Sequence, residues 1–379
     1  MELEFSRDQE ELRDSIRAVL VKESPVALAR SVVETGEPAD ALWATMTELG
    51  WPALTTAEEH GGIGLGAIEA GILAEELGRV MAPGPLLATV TQYVPIVRET
   101  ADAEQQAKFL GAVARGEVRG ALALSEASGS SDPAAVTATA TPDGDGYVLH
   151  GTKRFAIEAR GADELAVVVR LAGTEGDDGI TVVVVPGADV TTNPIRAIDG
   201  SRAIDDVVLD GVRVGPERVL GSAGDAASAV RRALEEAVVA LALETVGTCQ
   251  TIFDVTLDYA KSRHQFGVPI GSFQAIKHKF ADMVIALERA RATGYFAALT
   301  LAEDDERRTL ATAVAKAAAG DCQHLLGKEG IQIHGGIGYT WEHDVHLYVK
   351  RAKSNDAFFG GTSEQRSRIA DRLFGPVGR

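Results

Sequence analysis

Four stretches of this 379-residue chain carry residue types that bind or react as well as pack. The run Leu124-Ser125-Glu126-Ala127-Ser128-Gly129-Ser130-Ser131-Asp132 is small and hydroxylic. Its residues Ser128 to Ser131 let backbone N–H groups face an anion, although the same run is equally a plain surface turn. Arg263, ahead of His264, Gln265, Phe266 and Gly267, offers a planar guanidinium suited to phosphate. It stands at the end of a helical pattern, where a cation also complements the helix dipole. Gly335 and Gly336, behind Gln332, Ile333 and His334, permit close backbone approach or form a simple C-cap. The fourth stretch, Glu58-Glu59-His60-Gly61-Gly62-Ile63-Gly64-Leu65-Gly66, lacks the Lys-Ser/Thr of a phosphate-gripping loop. No strand precedes it, so it is not a dinucleotide fingerprint either. Cys249 and Cys322 lie in apolar helical patterns without metal-ligand spacing, which predicts buried thiols, a reducing compartment and no metal site.

The hydrophobic pattern indicates which elements must hold these stretches. To about Arg119 it is helical, with Leu12, Ile16, Val19 and Leu20 at helix spacing. A second helix is expected over Asp40–Leu49, stopping at Gly50 and Pro52, and a third over Ala67–Leu77. From Gly120 to Gly221 the texture changes to β-branched runs at Tyr147–Leu149, Leu165–Val169, Ile180–Val185 and Val207–Val214, with turn clusters between them. Short strands without intervening helices predict an antiparallel, barrel-like sheet. Beyond Gly221, segments near 223–262, 272–301 and 305–328 carry continuous helical stripes and predict an antiparallel four-helix bundle. The expected class is therefore α+β, with a helical domain over 1–119, a middle β domain over 120–221 and a helical bundle over 222–379.

Composition narrows the function classes. With 45% hydrophobic and 24% charged residues the chain is ordinary globular protein. Its net charge of −18 is opposite in sign to that of a nucleic-acid binder. The local basic run Lys350, Arg351, Lys353 is expected to be a solvated helix face. The first residues, MELEFSRDQEELRD, are too charged for a signal peptide. No apolar run is seen to approach the roughly 18 residues that span a bilayer. A cytoplasmic protein with no nucleic-acid partner and no membrane span is expected.

Taken together, the motifs resemble the acyl-CoA dehydrogenase family over essentially the whole chain. AEEHGGIGLG is similar to the family's acidic-Gly-Gly loop, and Leu124–Asp132 resembles its Thr-Glu-Pro-Gly-Ala-Gly-Ser-Asp loop. Arg263–Gly267, with Ile270 and Phe273-Gln274-Ala275, resembles its flavin-binding Arg-x-x-Phe-Gly segment, and Gln332–Tyr339 its glycine turn. The resemblance implies FAD as cofactor, held by Leu124, Ser125, Ser130, Ser131, Phe155, Ile157, Arg263, Gln265, Phe266, Phe273, Gln274, Gln332, Gly335, Gly336, Thr362 and Glu364. It implies that Arg263 and Gln332 act across a subunit interface, so that a monomer does not complete the site. It also implies an acyl-CoA thioester as substrate, met by Ser131, Glu235 and Val238, and an electron-transfer partner.

Three departures from the family pattern matter. Its Trp-Ile-Thr segment is here Phe155-Ala156-Ile157, so an aromatic ring remains to pack on the flavin but the threonine hydroxyl is gone. Its catalytic Glu precedes Gly-Thr near the C-terminus, where this chain has Gly360. The alternative position on the first long helix of the bundle falls at Ala237. Glu236, one residue and about 100° away, is the nearest candidate base; Glu235 and Glu236 are otherwise expected in a solvated first turn. Glu244, among Ala242, Leu243 and Val246, is expected as a half-buried structural pair partner. The implied reaction removes a proton next to the thioester while a hydride leaves the neighbouring carbon, and it needs a carboxylate within hydrogen-bond reach. The expected function is α,β-desaturation of an acyl-CoA, either by a homo-oligomer using Glu236 or by a base-poor subunit of a hetero-oligomer. The latter resembles the α2β2 dehydrogenases of actinobacterial sterol side-chain breakdown, in the segment Phe266–Gln274 and the ending Glu364–Ala370. A flavin monooxygenase on the same fold and a flavin-free binding subunit are the alternatives.

Overall fold

The computed structural model describes residues 4–375. Helices α1 (Arg7–Glu23), α2 (Val26–Thr35), α3 (Asp40–Glu48) and α4 (Ala67–Arg79) are followed by α5 (Leu86–Ala88), a π turn over Thr89–Tyr93, α6 (Val94–Thr100) and α7 (Ala103–Ala114). Seven strands come next: β1 (Gly120–Ala123), β2 (Thr139–Asp143), β3 (Gly146–Ile157), β4 (Glu164–Leu171), β5 (Ile180–Pro186), β6 (Thr191–Pro194) and β7 (Ile204–Val214). The chain then forms α8 (Ala227–Ser262), a small hairpin of β8 (His264–Gln265) and β9 (Val268–Pro269), α9 (Gln274–Ala302), α10 (Arg308–His334), α11 (Val345–Ala357) and α12 (Thr362–Phe374). These elements fall into two compact units. One comprises the chain up to Glu37, Ala67–Ala82 and everything from Val238; the other comprises Pro38–Gly66 and Pro83–Ala237.

In the second unit the sheet runs β1-β4-β2-β3-β7-β6, with β5 also on β4. The expectation of wholly antiparallel pairing is corrected at β4. There β1 pairs parallel at Glu164–Val167 and β2 pairs parallel at Arg170–Leu171, while β5 runs antiparallel along the other edge. The physical reason is the long excursion between β1 and β4, which gives the chain room to return in the same direction. Strand β5, Val/Ile apart from the buried Thr181, is buried on both faces except at Pro186, as a nearly continuous apolar run predicts. Val167, Val169, Val183, Val185, Val207 and Leu209 form the centre of this core.

The first unit packs α9, α11 and α12 against α10, so five helices, not four, follow Gly221 among the described residues. Helix α8 is long and apolar enough to cross a membrane by length and composition, contrary to the sequence-based expectation, but 72% of its apolar 18-residue window is buried inside the protein. It is a core helix. Helices α4 and α8 cross at contact distance, because a Cβ on Gly247 would lie 1.9 Å from the Glu75 carbonyl oxygen and one on Gly78 would lie 2.1 Å from that of Glu244. Cys249 and Cys322 are buried and free.

Charge is also buried here. Glu244, expected half-buried, is 1% exposed; Arg351 Nη1 donates to its Oε1 at 2.9 Å and Asn355 Nδ2 to its Oε2 at 2.8 Å. Arg351 is thus no part of a solvated basic face: its side chain is fully buried, whereas Lys353 remains 56% exposed. Lys316, also buried, donates from α10 to the carbonyls of Asn355 and Asp356. Breaking a buried pair strands a charge in low dielectric, at a cost of about 3–5 kcal/mol. Glu244→Gln keeps the shape and removes the charge, so urea denaturation should show a loss of about 3 kcal/mol or more. A loss under about 1 kcal/mol would show that Arg351 finds compensation elsewhere.

Candidate functional site

In the sheet unit, β1 ends at Ala123 and the chain enters the hydroxylic loop. Leu124 and Ser131 are buried, while Ala127, Ser128 and Gly129 face solvent. The outer part of the loop is shaped in part by its own side chains. Ser128 Oγ accepts from the Ser130 N–H at 3.3 Å, Ser130 Oγ from Asp132 N–H at 3.1 Å, and Asp132 Oδ1 from Ala134 N–H at 3.1 Å. Hydroxyls and a carboxylate spaced two residues apart thus build successive turns. Beside this loop β3 carries an irregularity between Lys153 and Ala156, and Phe155 sits there at φ 60°. The residue is 39% exposed, and the Arg154 guanidinium lies 5.1 Å from the ring centroid. Ile157, two residues on, is buried. Of the two, Phe155 is the side chain presented at the surface.

The carboxylates on α8 differ from the solvated pair expected of Glu235 and Glu236. Both side chains are 14% exposed. Glu235 lies 3.7 Å from Arg232, and Glu236 Oε1 accepts from Arg98 Nη2 on α6. Burial pushes the Glu236 carboxyl above the usual carboxylate range, with Arg98 and Arg232 opposing. The next residues, Ala237 and Val238, are buried. Arg98 was not singled out from sequence; its signal was a lone cation closing the apolar run Tyr93–Val97.

In the helical unit, Arg263 follows α8 directly and is exposed. Its backbone N–H donates to the Tyr259 carbonyl at 2.8 Å and its own carbonyl accepts from Ile270 at 2.8 Å, which closes the hairpin. Among the described residues its guanidinium makes no ion pair. Gln265 and Gln274 are exposed, and Phe266, 93% exposed, meets Phe273 edge to face at 6.2 Å. Tyr259 also stacks on His334 with centroids 4.5 Å apart. The root of the hairpin and the end of α10, with Gln332 exposed and Gly335 and Gly336 in open space, are thereby brought together. Sequence reasoning missed the Tyr259–His334 stack, which joins residues seventy-five apart and leaves no local pattern.

Near the C-terminus, Gly360 has φ +89°, and a Cβ there would lie 2.9 Å from Glu364 Oε1 and Gln365 Nε2. Thr362 and Glu364 are engaged within the chain. Thr362 Oγ1 donates to Asp356 Oδ1 at 2.7 Å and Arg368 donates to Glu364 Oε1 at 2.6 Å.

The Arg98–Glu236 pair gives a pH-dependent prediction. Glu236 already has a raised carboxyl pKa, so its ionisation costs stability as pH climbs from the unfolded value through the folded one. Arg98→Met removes the opposing cation and raises that pKa further. Arg98 is 29% exposed, so the expected loss is about 2 kcal/mol at pH 7, below that of a fully buried pair. Melting at pH 5 and pH 7 should show the variant regaining part of the loss at pH 5. An equal deficit at both values would mean that Glu236 does not carry the effect.

Family models described as the N-terminal, middle and C-terminal domains of acyl-CoA dehydrogenase match residues 6–117, 121–215 and 224–374. The chain is 30% identical over 370 residues to acyl-CoA dehydrogenase IpdE2 of Mycobacterium tuberculosis, covering 97% of this chain and 98% of that protein. It is 30% identical over 334 residues to the mitochondrial short-chain specific acyl-CoA dehydrogenase of Rattus norvegicus, covering 86% and 81%. The structure of butyryl-CoA dehydrogenase from Megasphaera elsdenii matches with a TM-score of 0.91 at 25% identity, over 98% of this chain and 100% of that one. With three domain models in order along one chain and a shared fold, this protein belongs to the acyl-CoA dehydrogenase family of FAD-dependent oxidoreductases acting on CH–CH bonds.

Proposed function

We propose that this chain takes part in α,β-desaturation of an acyl-CoA thioester as a base-poor subunit, with the proton acceptor supplied by an unlike partner chain. The observation that carries this is Gly360, which offers a backbone at φ +89° where the family pattern has its Glu. Ala237, at the alternative position, has no carboxylate and is 1% exposed. Glu236 is held by Arg98, and a carboxylate committed to a guanidinium is not aimed at a carbon acid.

The residues present fit FAD. The exposed Phe155 ring suits a flat aromatic system, and the hydroxyl-built turn at Ser128–Ser131 suits a diphosphate. When bound, FAD supplies the hydride acceptor. What falls to the protein is to hold substrate and cofactor in register and to take the α-proton. Arg263 and Gln332, exposed on one protomer, serve the cofactor of a neighbouring subunit, so the working form is an oligomer. Reoxidation then calls for an electron-transfer partner.

Two measurements test this. Anaerobic addition of a panel of acyl-CoA thioesters to the chain alone should leave the flavin absorbance unbleached over minutes. Gly360→Glu must adopt a left-handed conformation costing about 1–2 kcal/mol, yet a restored base is worth on the order of 10² in rate or more. Rapid bleaching by the wild-type chain alone would refute the base-poor assignment. Separately, Arg263→Ala should purify folded but with most of its flavin lost, and Lys there should rescue poorly because it lacks the guanidinium fork. Full flavin occupancy in Arg263→Ala would remove Arg263 from the site.

A further inference from the structure

Lys153 has a wholly buried side chain, which is rare for lysine unless it is paired. Its Nζ donates to Glu126 Oε1 at 2.6 Å and to the Leu124 carbonyl at 3.1 Å. Glu126 in turn accepts from the Ala138 N–H at 2.9 Å, the Thr137 N–H at 2.8 Å and the Thr137 hydroxyl. One carboxylate therefore ties the entry of the hydroxylic loop, Leu124–Glu126, to its exit at Thr137 and Ala138. Arg170 on β4 holds the same exit, donating to the carbonyls of Val136 at 2.8 Å and Ala134 at 3.0 Å. The lysine reaches the aromatic platform as well. It is the last residue of β3 in register before the irregularity that turns Phe155 outward, and the N–H of the next residue, Arg154, donates to the Ser125 carbonyl at 2.7 Å.

We propose that the buried Lys153–Glu126 pair is the positioning device of the cofactor site, fixing the Ser128–Ser131 turn and Phe155 in one frame so that flavin affinity depends on its charge. This rests on the assignment of that turn and Phe155 to FAD. The charged groups facing Lys153 are Glu126 from the loop and Arg170 from β4. Burial first, and Arg170 with it, bring the lysine down to about 8 against the pull of Glu126. The ammonium is present at neutral pH and lost as pH rises through that value. Glu126, itself held below the usual carboxylate range by Lys153 and its hydrogen bonds against burial, is then left as a buried anion without a counter-charge.

The test is FAD titration of the full-length protein between pH 6.5 and 9.5, for wild type, Lys153→Met and Glu126→Gln, with circular dichroism to follow the fold. Wild-type Kd should stay level to neutral pH and weaken about tenfold by pH 9.5, in step with loss of the ammonium. Glu126→Gln should move that step to lower pH, because the carboxylate that sustains the ammonium is gone. Lys153→Met should bind weakly at every pH. A pH-independent wild-type Kd, or Lys153→Met binding within twofold of wild type, would overturn the proposal. If Lys153→Met does not fold, the wild-type profile beside Glu126→Gln decides. A wild-type chain that is folded yet takes up no FAD at any pH sinks the cofactor assignment and this inference with it, an outcome distinct from tight but pH-independent binding.

Discussion

The constraint on which the helical unit depends is that a buried guanidinium must keep its carboxylate. Arg351 on α11 has no route to water, so Glu244 on α8 has to face it. Asn355 takes the second oxygen of Glu244, and Lys316 on α10 takes the Asn355 carbonyl. Three helices are thereby fixed in rotation as well as in distance, which apolar contact alone does not achieve because it has no direction. The chain of bonds continues outward. Asp356, the residue after Asn355, receives the Thr362 hydroxyl, and Thr362 opens α12 just past the Gly360 turn.

That turn shows how a functional position is coupled to the core behind it. Gly360 stands at φ +89°, with Gln365 donating from the first turn of α12 to the carbonyls of Phe359 and Gly360. Phe359 also has positive φ. Two successive residues in the left-handed region cost energy for any side chain larger than hydrogen, so the glycine answers the local backbone as well as leaving out a carboxylate. The sheet unit follows the same logic with a different pair. There a buried lysine and glutamate hold a loop whose outer turn includes the Ser128 and Ser130 hydroxyls bonded to nearby backbone N–H groups.

Much of the fold could be read from local pattern. The Val/Ile runs became β4 and β5 within a residue or two and β7 with three residues added at its start, and the long stripes became α8, α9 and α10, because period-2 and period-3.6 burial leave a trace in every few residues. Strands β1, β2 and β6 were not foreseen. Gly120–Ala123 and Thr139–Asp143 are short, and β6, Thr191–Pro194, is largely exposed; pairing partners far along the chain make them strands. The parallel neighbours of β4 and the count of helices after Gly221 were missed for the same reason. They are facts about which segments meet, not about any one segment.

The sequence by itself determined the family, because four motifs in order, each set by local backbone and side-chain chemistry, survive without knowledge of their neighbours. It also determined the absence of a carboxylate at Gly360 and Ala237. Only the tertiary structure decided what the remaining charged residues do. Glu235, Glu236 and Arg351 look in sequence like solvated helix charges, since composition and spacing record only a residue's neighbours along the chain. Glu235 meets Arg232 within its own helix, but the pairing of Glu236 with Arg98 and of Arg351 with Glu244 is set by distant segments, 138 and 107 residues apart. The dielectric around a charge, and with it the sign of its effect on stability, belongs to the packed structure and not to the segment that carries it.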